Sequence, residues 1–235
     1  MKILSISANN SYIKVCNHTG SALRGKAQTL NIENILKRLG FSNTNAKYVS
    51  EEIYTSYARP ERGYHGLKHI KNMLESFDKF ILESNQAFMV KNTDELRFAI
   101  LMHDYINGEA DDVKKSAYMA NEFLHRISPN YDSSYVENLI LATDYSQKQN
   151  LNFEQQLMQD IDTEILGKSP AEYKQYSGAI RQQYANYPDK IYNPARIKVL
   201  EAFINKDKIY NTPYYREKYE QQARENIKYE INTLL

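Results

Sequence analysis

Apolar positions repeat at helical spacing over most of this chain. Ile32, Ile35, Leu36 and Leu39 fall on one stripe that Gly40 ends, and Val49, Ile53 and Tyr57 form the next, closed by Pro60. A third helix is predicted from near Tyr64, with Leu67, Ile70, Leu74, Phe77 and Ile81 along its buried side. The fourth, with Thr93 as N-cap and Glu95 in its first turn, runs through Leu96, Phe98, Ala99, Ile100, Leu101 and Met102. It has no face fit for water and belongs in a core. Gly108 to Asp112 reads as an acidic loop. Helical spacing resumes over 116–127, 136–143, 153–166, 171–187, 195–203 and 218–235, giving about nine helices in all. Residues 1–27 differ in kind: Lys2 to Ile6 has the pattern of a short strand, and polar turn residues follow. The expectation is an all-α fold with one helical domain over 28–235 and an N-terminal appendage over 1–27.

Composition narrows this picture. Of 235 residues, 42% are hydrophobic and 25% charged, which is ordinary for a globular chain. Only 8 Gly and 6 Pro argue against an all-β sandwich and against a glycine-rich dinucleotide loop. Lys+Arg 30 against Asp+Glu 29 leaves a net charge of +1, too little field to hold a polyanion, so stable nucleic-acid binding is not expected. The single Cys16 excludes an internal disulfide and a Cys-rich zinc site, and suits a reducing compartment. No apolar run approaches the roughly 20 residues that span a bilayer, and no signal peptide is visible. A cytoplasmic protein without membrane attachment is expected. The 20 Tyr with no Trp point to no function by themselves.

The candidate chemistry is concentrated in a few positions. His65, His69 and His103 lie within a short stretch, and Asp104 follows His103 directly. Read on one helix, His65 and His69 stand at i and i+4, on the same face. His103 and Asp104 end the most apolar helix, where an uncompensated carboxylate is costly and a cation removes the cost. Another carboxylate comes from Asp160 or Asp162, on a helix whose buried positions are Leu157, Ile161 and Ile165. Mixed imidazole and carboxylate donors suit Mn, Fe, Co, Ni or Zn better than Ca or Mg. Such an ion lowers the pKa of coordinated water from 15.7 to about 7.

The stretches Arg62-Gly63-Tyr64-His65-Gly66-Leu67-Lys68-His69-Ile70, Ala99-Ile100-Leu101-Met102-His103-Asp104, Leu139-Ile140-Leu141-Ala142-Thr143 and Asp160-Ile161-Asp162 make the chain similar to a known family. It resembles the HD-domain superfamily of metal-dependent phosphohydrolases, and most of all its subgroup of predicted metal-dependent HD phosphohydrolases. Tyr173, Tyr176, Ile180-Arg181, Arg196 and Ala223-Arg224-Glu225-Asn226-Ile227 extend the similarity, which covers about residues 30–235.

The resemblance implies a helical bundle around one divalent transition metal, held by His69, His103, Asp104 and Asp162, with Asp160 in reserve for the last position. Mg is less suited. His65 corresponds to a histidine that protonates the leaving oxygen, a role its ordinary pKa near 6.5 allows, and Asp104 or Asp162 also orients the attacking water. Arg62 and Arg181 match arginines that grip phosphate oxygens, and Lys68 is a further substrate contact. Taken alone, the two arginines fit interhelical ion pairs equally well, and Lys68 fits a solvated face. The implied activity is hydrolysis of a small phosphorylated molecule, a nucleotide first.

Two positions depart from the subgroup pattern. Asp111-Asp112 stands where an Asn-Glu pair is usual, so Asp111 or Asp112 would have to substitute for the glutamate. Asp144-Tyr145-Ser146 stands where a histidine often follows the Ala-Thr motif. Both departures argue for one metal rather than two and against the di-iron oxygenase branch. They also motivate an alternative, a nucleotide- or partner-binding module with little turnover.

Overall fold

The apolar stripes become helices throughout the computed structural model, which describes residues 30–146 and 150–235. The expected strand near Lys2 lies outside the described residues. Within them the regular structure is ten α-helices and three short 3-10 segments, with no strand. The all-α expectation holds. The chain divides into two compact units, one formed by residues 60–91 and 142–235 and the other by residues preceding 60 and by 92–141.

The second of these units contains α1 (Ile32–Arg38), α2 (Asn43–Tyr57), α4 (Thr93–Met102), α5 (Asp112–Leu124) and α6 (Ser134–Leu141). Leu96 and every residue from Phe98 to Met102 are fully buried, as a helix without a polar face requires. The cap lies one residue earlier than the pattern suggests. Asn92, in extended backbone, accepts hydrogen bonds from the Asp94 and Glu95 amides, and Thr93 is already helical. An amide oxygen that reaches two free N–H groups makes Asn92 the better terminator. The chain leaving α4 is fastened on both sides. Ser56 donates to the Tyr105 carbonyl (2.7 Å), Ser116 both accepts from Ile106 N–H and donates to its carbonyl, and Asp112 accepts from Gly108 N–H.

The other unit contains α3 (Leu67–Glu83), α7 (Phe153–Thr163), α8 (Pro170–Gln183), α9 (Asp189–Ile204) and α10 (Pro213–Leu234). Short 3-10 segments cover Pro60–His65, Ala87–Met89 and Glu164–Gly167. Asn152 with Gln155 and Ser169 with Glu172 build reciprocal capping boxes at the starts of α7 and α8. The helix expected from near Tyr64 begins at Leu67 instead. Gly63 has φ +54° and Gly66 is extended, so the chain turns twice before α3 starts. A Cβ at Gly63 would lie 2.7 Å from Gln183 Cβ, and this close approach seats the Pro60–His65 turn on α8. α9 also starts earlier than expected and runs through Pro194, which stands near its N-terminal end and removes only one interior N–H.

The tyrosines act as buried polar links in this unit. Arg196, fully buried, forms a two-point ion pair with Glu230 (2.8 and 3.0 Å). Tyr173 donates to the same carboxylate, and Arg196 donates to Tyr176 (3.3 Å). Tyr210 donates to the Thr163 carbonyl at 3.1 Å and is tied by it to the end of α7.

Candidate metal centre

His69, in the first turn of α3, uses both ring nitrogens. Nδ1 lies 3.2 Å from the Tyr64 hydroxyl, and Nε2 lies 3.3 Å from Asp162 Oδ1. The other oxygen, Oδ2, accepts from the Tyr145 hydroxyl at 2.9 Å. Both side chains are buried. His103 follows α4 directly, with Nδ1 2.9 Å from the Ile100 carbonyl. A carbonyl oxygen only accepts, so Nδ1 carries the proton and, in the neutral ring, Nε2 keeps its lone pair. That nitrogen lies 3.5 Å from Asp104 Oδ2.

His69 and Asp162, in one unit, offer an imidazole nitrogen and a carboxylate oxygen 3.3 Å apart, and His103, in the other unit, offers a second imidazole nitrogen; all three are candidate ligands for a metal ion. Two imidazole nitrogens and a carboxylate oxygen fit a divalent transition ion by donor type. Asp104, expected as a fourth ligand, is not one of this group; it stands beside His103.

Asp160 has a different role. Its Oδ1 accepts from the Asn211 backbone and side-chain amides, and its Oδ2 accepts from the Thr212 amide and hydroxyl, at 2.7 to 3.1 Å. Burial raises its pKa to about 6, against the pull of those four hydrogen bonds. It anchors the chain just before α10, with both oxygens occupied.

His65 is buried but does not reach His69 by helical register, because the backbone breaks between them at Gly66. The two rings are nonetheless 5.7 Å apart and nearly perpendicular. His65 Nδ1 lies 2.9 Å from Gln183 Oε1, which makes that nitrogen the donor.

The expected phosphate contacts divide. Arg181 donates to the Tyr184 and Tyr187 carbonyls and to Asp189, and its guanidinium sits 4.6 Å over the Tyr192 ring. This arrangement closes the C-terminal end of α8. Arg62 is buried and donates to the His65 carbonyl at 3.5 Å. Lys68 is exposed.

A cleft of about 230 Å³ opens on His69 and Asp162, and Asn72, Ser76, Lys79 and Lys168 also line it. None of those four was singled out from the sequence. The signal was nevertheless present: 69, 72, 76 and 79 form a helical stripe on α3, and polar residues on a stripe that starts at a candidate ligand mark the wall of a site.

Comparison with protein-family models, with characterised proteins and with solved structures found no match for this chain.

Proposed function

We propose that this chain is a metal-dependent phosphohydrolase of the HD type, acting on a small phosphorylated molecule, with nucleotides the first class to test. The carrying observation is the buried His69–Asp162 pair, which with His103 supplies three of the four ligands that the resemblance implies, in the same chain order; Asp104, the fourth, stands beside His103. In this reading the three residues hold one divalent transition ion, and Asp104 supports His103. The ion supplies Lewis acidity and an activated water when bound.

The remaining roles belong to the chain's own residues. Gln183 fixes His65 with its Nδ1 proton engaged, so in the protonated ring Nε2 is the nitrogen that gives a proton to the leaving oxygen. Lys79 and Lys168 are the cations of the cleft wall, which Glu75, Glu164 and Glu172 also line, and Lys168 is paired to Glu164. Arg62 and Arg181 act by bracing the Pro60–His65 turn and the end of α8. Asp112 holds Gly108 N–H and Asp144 holds Ser146 N–H. The absence of a histidine after the Ala-Thr motif, where Asp144-Tyr145-Ser146 stands, favours one ion over two.

The test is phosphate release from a panel of nucleotides and sugar phosphates in Mn²⁺. His103→Ala and Asp162→Ala should each lower the rate on the order of 1,000-fold, equivalent to about 4 kcal/mol of transition-state stabilisation. Equal release from the unaltered and His103→Ala proteins would reject the assignment. Retained metal with no turnover of any phosphorylated compound would favour the binding module instead.

A further inference from the structure

The His69–Asp162 pair is gripped at the two atoms that do not face each other. Tyr64 Oη meets His69 Nδ1, the nitrogen remote from Asp162, and Tyr145 Oη meets Asp162 Oδ2, the oxygen remote from His69. Neither tyrosine is placed by its hydroxyl alone. The Tyr64 ring stands edge-on to Tyr176 at 4.6 Å and lies 4.8 Å from the His69 ring. Tyr176 is itself buried and receives a hydrogen bond from Arg196. The Tyr145 ring lies 5.7 Å from Phe203 on α9.

We propose that Tyr64 and Tyr145 are positioning residues that fix which atoms of His69 and Asp162 face a cation. This rests on the metal reading above. Tyr64 accepts the Nδ1 proton of His69, so the Nε2 lone pair is the one presented. Tyr145 donates to Asp162 Oδ2, which turns Oδ1 toward His69 Nε2. An imidazole held in one tautomer and a carboxylate held in one rotamer have less freedom to lose on binding, and such outer partners typically contribute about 10- to 100-fold in metal affinity.

The experiment titrates the full chain with Co²⁺, followed by visible absorption and by calorimetry, for the unaltered protein, Tyr64→Phe and Tyr145→Phe. Each substitution keeps the ring and removes one hydroxyl, so the metal-free melting temperature should stay within a few degrees while Co²⁺ affinity falls about 10- to 100-fold. In the Co²⁺ protein, proton NMR should show a slowly exchanging, paramagnetically shifted His69 Nδ1–H. Tyr64→Phe should lose that resonance to solvent exchange, and Tyr145→Phe should keep it. A merely structural role would not separate the two variants in this way. If the unaltered chain binds no Co²⁺, the metal reading fails and takes this inference with it. If it binds and both variants bind within twofold of it, the inference alone fails. Should Tyr64→Phe not fold, Tyr145→Phe decides by the same affinity criterion.

Discussion

Asp160 and Asp162 stand two residues apart on α7 and do different work, which makes them the sharpest test at the scale of single side chains. Asp160 gives both oxygens to four donors at Asn211 and Thr212, whereas Asp162 meets His69 and Tyr145. Asp160→Ala would strand several buried donors at about 1 kcal/mol or more each, so we expect a loss on the order of 3 kcal/mol, measured as a lower urea midpoint at unchanged slope. Asp162→Ala should leave the urea midpoint close to that of the unaltered protein and abolish Co²⁺ binding. A variant pair with the reverse behaviour would exchange the two roles. The sequence placed both carboxylates on one helix but could not separate them physically. What separates them is a contact with Asn211 and Thr212, about fifty positions along the chain, and helical spacing carries no information over that distance. His65 and His69 show the opposite case. Their proximity was legible, but its cause was not one helix face; two turns at Gly63 and Gly66 bring the rings together.

At the scale of elements, the helices whose burial is apolar were the readable ones. α4 announced itself through a run of six consecutive or near-consecutive apolar residues, all now fully buried. The polar interior linking α8, α9 and α10 was not readable, because a lone arginine in a sequence is placed at the surface by default. Arg196 reverses that default. It is fully buried and depends on Glu230 for charge compensation, with Tyr173 and Tyr176 completing the hydrogen bonds. Burial and the neighbouring Glu230 raise the Tyr173 hydroxyl far above its ordinary pKa, so it serves here as a neutral donor. Glu230→Gln keeps the shape and deletes the charge, leaving the guanidinium buried and unbalanced. We expect a loss of about 3–5 kcal/mol, read from urea denaturation followed by tyrosine fluorescence. A loss under about 1 kcal/mol would mean that the ion pair is not what joins α9 to α10. This element-level network also bears on the site, since Tyr176 carries contacts from Arg196 to Tyr64 and Tyr64 meets His69.

At the scale of the whole molecule, the helical periodicity sets the fold class without reference to any site, while the candidate site draws its residues from separate segments of the chain. A cation bound by His69, His103 and Asp162 interacts with the native chain and has no equivalent in the unfolded one. Binding must therefore stabilise the fold by RT ln(1 + [M]/Kd), about 2.7 kcal/mol at a hundredfold excess over Kd. In a chain of 235 residues this corresponds to a rise in Tm of about 5–10 °C. The rise should appear with Mn²⁺, Co²⁺ and Zn²⁺, be much smaller with Ca²⁺ and Mg²⁺, and disappear on adding a chelator, because imidazole donors discriminate against ions that prefer all-oxygen shells. It should also vanish in His69→Ala and in His103→Ala, although one histidine stands in α3 and the other follows α4. If either single variant kept the full shift, the ion would be held elsewhere, since removing one of three convergent ligands cannot leave a site of this size intact.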